Sequence, residues 1–149
     1  MPTDLHHSIL VEAVLNTQTI SGAAGEVAVT KIDRQGFESL EFMAALGESG
    51  DTLSGALKLE FILKEGDLSD GSDLAPVTDP TLVLGAIPDN NGIVITVDAD
   101  GEDGKVYSVG YVGEKRYAAL VPQKTGTHTN GIPLAILSVK GGAHKRPIL

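Results

Sequence analysis

The nine residues from Ala56 to Lys64, ALKLEFILK, decide the fold class. Leu57, Leu59, Phe61 and Leu63 fall on one face at a period of two, and Lys58, Glu60 and Lys64 fall on the other, with Ile62 the one exception. A strand that is apolar on one side and charged on the other belongs to an antiparallel sheet with one face on the core, because strands of a parallel sheet are buried on both faces and read as continuous apolar runs. Weaker signals of the same kind cover 8–15, 26–32, 40–46, 81–86, 92–97, 105–112, 116–121 and 133–139. The stretch 36–46, GFESLEFMAAL, holds helix-forming Glu, Leu, Met and Ala, but Leu40, Phe42, Ala44 and Leu46 alternate, which favours a strand.

Connectors rich in Gly, Asp and Ser separate these strands at 47–55, 65–80 and 98–104. The second is long enough to be an interaction site or a disordered tip. The expectation is a single all-β domain over 1–149, an antiparallel β-sandwich or jelly-roll-like barrel of about eight to nine short strands. Its body spans 8–140, with an N-terminal arm over 1–7 and a C-terminal arm over 141–149, where Gly-Gly, two basic residues and Pro147 make a composition that cannot fold alone.

A chain of 149 residues can bury one core without staples. Aromatic residues make up 4% and Trp is absent, so that core is built from Val, Ile, Leu and Ala. With no cysteine there is no disulfide, thiolate metal site or cysteine nucleophile. The first fifteen residues lack the basic start and long apolar run of a secretion signal, and no segment approaches membrane-spanning length, so synthesis in the cytoplasm and no membrane partner are expected. The net charge of -9 hides an asymmetry: residues 1–113 carry 5 basic and 19 acidic groups, whereas 114–149 carry 6 basic groups against Glu114 alone. An acidic body with a basic end suits docking of that end on an acidic surface and repels nucleic acid.

Polar side chains offer little to a catalytic reading. His6 and His7 precede the first strand, and adjacent residues in an extended arm point in opposite directions, which argues against a shared metal. His128 lies in the polar stretch 125–131 and reads as a turn residue bonding its own loop; a base beside Thr125, Thr127 or Thr129 is the weaker alternative, with no placed carboxylate to support it. The acidic loops 67–73 and 98–104 alternate carboxylates with Gly, but neither matches the spacing of a calcium loop, so both read as hairpin tips. Tyr107 and Tyr111 share a face near Lys105, Lys115 and Arg116, which could imitate a stacking surface for single strands but more simply lines a core edge. No phosphate loop or dinucleotide fingerprint is present. No catalytic, cofactor-binding or metal site is therefore expected.

With those residues laid out, the chain resembles small proteins encoded among the head genes of tailed bacteriophages and related prophages, the head decoration or capsid cement proteins. The resemblance is carried by Asp4-Leu-His-His-Ser-Ile-Leu-Val, Gly36-Phe-Glu-Ser-Leu-Glu, Lys58-Leu-Glu-Phe-Ile-Leu, Ala75-Pro-Val-Thr-Asp79 before Val83-Leu-Gly85, and Tyr107-Ser-Val-Gly-Tyr-Val-Gly-Glu-Lys-Arg-Tyr117. It continues through Thr125-Gly-Thr-His128, Gly131-Ile-Pro133 and Gly141-Gly-Ala-His-Lys-Arg-Pro147, and so spans nearly the whole chain. It implies a virion structural protein on the outer surface of an icosahedral capsid, made in the host cytoplasm. The implied partners are the major capsid protein and further copies of the chain, as trimer or hexamer. Lys140, His144, Lys145, Arg146, His6 and His7 are the candidate capsid or inter-subunit contacts. A carbohydrate- or receptor-binding β module of the virion, with its site in a loop such as 65–80, is the alternative.

Overall fold

Alternation in the ALKLEFILK segment becomes packing in a computed structural model of the protein, which describes residues 4–144. Leu59, Phe61 and Leu63 are fully buried, while Lys58, Glu60 and Lys64 sit on the opposite face. Ile62, the exception to the pattern, belongs to that outer face yet is buried, opposite Val121 and Ile93.

Eleven strands are present among the described residues: β1 (Ile9–Gly22), β2 (Gly25–Glu26), β3 (Ile32–Asp33), β4 (Phe37–Leu46), β5 (Lys58–Gly66), β6 (Ala75–Pro76), β7 (Val83–Leu84), β8 (Ile93–Val97), β9 (Val106–Tyr111), β10 (Tyr117–Thr125) and β11 (His128–Ala143). They form two antiparallel sheets, one ordered β1-β11-β4-β9-β7 and the other β2-β10-β5-β6, with β3 also paired to β10 and β8 to β5. The architecture is a β-sandwich, and the sheets do not close into a barrel. Phe42, Leu134 and Ile136 of the first sheet face Leu59, Phe61, Leu63 and Leu120 of the second in one apolar cluster.

The segment 36–46 forms strand β4, as the alternation of Leu40, Phe42, Ala44 and Leu46 favours; it lies between β11 and β9 and pairs with both, which overrides the helical tendency of its side chains. Other expectations change in detail. The run 26–32 is split into β2 and β3. Its middle instead ties the two sheets together, with the Val27 amide donating to the Pro122 carbonyl at 2.8 Å and the Thr30 amide donating to the Val14 carbonyl at 2.9 Å. Two strands are not short, since β1 has 14 residues and β11 has 16. The boundary of the C-terminal arm also moves: Gly141 pairs with Ile9 on one side and Ser39 on the other, and Ala143 pairs with Phe37, so the strand continues past Lys140.

The long connector 65–80 is ordered by its own chemistry. Asp73 accepts the amides of Asp67 and Leu68 at 2.7 and 3.1 Å, and β6 pairs with the end of β5.

Candidate functional site

Antiparallel pairing of β1 with β11 sets Ile9 opposite Gly141, so the segments preceding β1 and following β11 leave the sandwich at one pole. His6 and His7 precede β1 and His144 follows β11 at that pole, and all three are exposed. The Asp4 carboxylate pairs with the His7 ring, which holds the Asp4 pKa below its ordinary range, and Ser8 donates to the Asp4 carbonyl at 2.7 Å. The His144 ring pairs with Glu38 while its amide donates to the Gly36 carbonyl at 2.9 Å. Lys145 and Arg146 lie outside the described residues.

Lys140 does not join this surface. It occupies an inward position of β11 and is only 6% exposed. Its ammonium donates to the Asp33 carbonyl at 2.9 Å, forms an ion pair with Glu12 at 2.5 Å and lies 4.7 Å from the centre of the Phe37 ring. The parity of β11 explains it: Ile132, Leu134, Ile136, Ser138 and Lys140 all face inward, and the lysine falls where the core ends and polar partners begin. Nothing in a single sequence marks the residue as internal.

Much of the basic end is neutralised inside the chain in the same way. The Arg116 guanidinium grips Asp33 through Nε at 3.0 Å and Nη2 at 2.8 Å, and Lys115 pairs with Asp67 at 3.0 Å. Each aspartate is held below its ordinary pKa range, first by these side-chain bonds. Lys124 donates to the Ser21 carbonyl at 2.7 Å. The excess of positive charge in 114–149 therefore docks largely on the acidic body of its own molecule.

At the opposite pole the loops 47–55 and 98–104 meet the turn between β10 and β11 and the first residues of β11. Their carboxylates accept backbone amides: Asp103 from Ser49 at 2.7 Å, Asp100 from Leu53 at 3.3 Å, Glu102 from Asp98 at 2.9 Å, and Asp51 from Gly131 at 2.8 Å. The alternating carboxylates of 98–104 are loop staples in this arrangement. Among the described residues no group of three or more His, Asp or Glu side chains is placed to hold a metal ion.

His128 is the first residue of β11 rather than part of the turn, and it is 1% exposed. Its Nε2–H donates to the Lys58 carbonyl of β5 at 3.1 Å, so it bonds across the sandwich and not to its own loop. A carbonyl can only accept, which fixes the tautomer and leaves Nδ1 buried without a partner. Enclosed in this way, the ring is not presented to a substrate. Tyr111 is also fully buried, its hydroxyl donating to Glu65, and burial pushes its pKa up. Tyr107 donates to the Glu102 carbonyl at 2.5 Å. Both rings thus belong to the edge of the core.

One open groove, about 700 Å³, runs between the segment 26–31 and the loop that holds Asp70, Gly71 and Leu74, over a floor of Ala119 and Val121. Glu26 and Lys64 face each other across it at 2.9 Å. No protein-family model matches the chain, and no curated protein matches it.

Proposed function

We propose that the protein is a virion structural protein that decorates and stabilises the outside of an icosahedral phage capsid, working by binding and assembly rather than by catalysis. The motif resemblance raises the idea, and one observation supports it: β1 begins beside the end of β11 at one pole, the pole that also carries the exposed His6, His7 and His144. Two arms leaving one end of a rigid sandwich can engage neighbouring subunits of a shell together, and many weak copies on a symmetric lattice gain by avidity. Lys145 and Arg146 add positive charge to the segment after β11. The virion surface is the location this reading assigns, with the major capsid protein and further copies of the chain as partners.

Co-sedimentation with capsids that lack this protein, over a range of salt, tests the proposal. Saturable binding that weakens as salt rises is expected, together with reduced occupancy after removal of residues 145–149, which leaves β11 whole. Failure to sediment with the capsids at any salt concentration sinks the reading.

The groove favours a second reading as a surface glycan- or receptor-binding module, because part of the 65–80 loop lines it beside Glu26, Lys31 and Lys64. Its lining holds no aromatic ring on which a sugar could stack. A glycan screen against the parent protein and Lys64→Ala separates the two readings.

A further inference from the structure

The sequence contains two Asn-Gly pairs, Asn91-Gly92 and Asn130-Gly131, and the fold holds them differently. A glycine after an asparagine has no Cβ to shield its amide nitrogen, so that nitrogen can attack the preceding side-chain amide. Both asparagines are exposed, so access of water does not separate the two pairs. Their bonding does.

Asn130 is clamped. Its Nδ2 donates to the Gly50 carbonyl at 3.1 Å and to Asp51 Oδ1 at 3.2 Å. Its Cβ lies so close to Gly50 that a side chain added there would begin 2.6 Å from it. The nitrogen that would attack, Gly131 N, donates to Asp51 Oδ2 at 2.8 Å. Attack requires that nitrogen to lose its proton, and a carboxylate beside it opposes the negative charge that results.

Asn91 lies in the turn that leads into β8. Among the described residues no hydrogen bond holds its side chain, while its backbone amide donates to Asp89 Oδ1 at 2.8 Å. The Gly92 amide donates to the uncharged Asp89 carbonyl at 3.1 Å, a single bond of an exposed turn. Such a bond opens at a small free-energy cost, which frees the Gly92 nitrogen without unfolding the sandwich.

We propose that Asn91 is a site of spontaneous deamidation and that Asn130, followed by the same residue type, is protected by the fold. The Gly92 nitrogen gives up its proton and bonds to Asn91 Cγ, the Cγ–Nδ2 bond breaks, and Nδ2 leaves with that proton as ammonia. Water then opens the cyclic imide at either carbonyl, which leaves aspartate or isoaspartate at position 91. Water is consumed, ammonia is released, and nothing is oxidised or reduced.

The product alters the turn in two ways. A new carboxylate stands two positions from Asp89, and like charges repel. In the isoaspartate form the main chain also runs through an additional carbon directly before Gly92. Gly92 has little slack there: its carbonyl accepts the Leu63 amide at 3.0 Å, and a side chain on it would begin 2.7 Å from Pro76 Cβ. Conversion therefore loosens the end of the β5–β8 pairing, where Ile62 stands opposite Ile93. The reaction needs no partner, so it goes beyond the capsid reading and stands without it.

Peptide mapping by mass spectrometry tests the proposal on the full chain kept in mildly alkaline buffer, folded in one sample and unfolded in urea in the other. In urea both pairs are expected to convert at similar rates. In the folded chain position 91 should gain one mass unit and yield isoaspartate, with conversion of Asn130 at least about tenfold slower than that of Asn91. The melting temperature of the aged parent should fall by a few degrees. That of Asn91→Gln, whose longer side chain does not close the same ring, should stay unchanged. An Asn91 that survives in the folded chain through the time in which it converts in urea overturns the proposal, as does an Asn130 that converts as fast as Asn91.

Discussion

The Asp51 carboxylate accepts the Gly131 amide at 2.8 Å, across 80 residues of chain, and the neighbouring Asn130 amide at 3.1 Å. This pair of bonds locks the 47–55 loop onto the start of β11, in the same region where His128 reaches β5. Asp51→Ala removes the acceptor for both amides, so a melting temperature lower by a few degrees is expected. An unchanged melting curve would show that Gly50, which donates to the Gly131 carbonyl at 2.9 Å, holds the loop unaided.

Gly131 itself has no room for a side chain. Its φ is +85°, and a Cβ there would stand 2.6 Å from the Ile20 carbonyl oxygen and 2.8 Å from Thr19 Cγ2. Gly131→Ala should cost about 2 kcal/mol or more, since backbone strain and a clash with the β1 backbone add. Chemical denaturation of the variant beside the parent reads this directly.

Lys140 is a buried cation held by Glu12, the Asp33 carbonyl and the Phe37 ring. Lys140→Ala strands those partners and is expected to cost about 2 kcal/mol, below the ~3–5 of a fully buried pair because the Glu12 side chain is 42% exposed. The double change Lys140→Met with Glu12→Leu should recover most of the loss. A denaturant-based double-mutant cycle without coupling would refute the pairing.

Acid should destabilise the fold through its aspartates. Asp33, bonded first by Arg116, and Asp51, bonded first by the Gly131 amide, both have pKa values lowered from the ordinary 3.8. A carboxylate with a lowered folded pKa contributes stability that is present above the unfolded value and is lost as pH falls through the folded one. Urea midpoints should therefore be level down to about pH 4 and drop below it. Asp51→Asn and Asp33→Asn should each make that drop shallower.

Strand identity was legible because a period of two survives any context. The alternation at 56–64, and the weaker runs at 40–46, 105–112 and 133–139, became β5, β4, β9 and β11. Of the four two-residue strands, β2, β3 and β6 were not separable, since a pair of residues carries no periodicity and their pairing is supplied by β10 and β5. The candidate contact residues divide along the same line. His6, His7 and His144 were recognisable as groups flanking the strands, but that they lie at one pole depends on Ile9 standing opposite Gly141.

The sequence by itself determined an all-β chain with an acidic body, a basic end and no thiol chemistry, because composition and local alternation need no partner to be read. Tertiary structure alone decided that Lys140 is internal, that His128 bonds across the sandwich, and that Val11, Leu137, Met43 and Val106 form one apolar face. Each depends on which strand lies beside which and in what register. Pairings such as Ile9 with Gly141 join residues more than a hundred positions apart, and no local pattern encodes them.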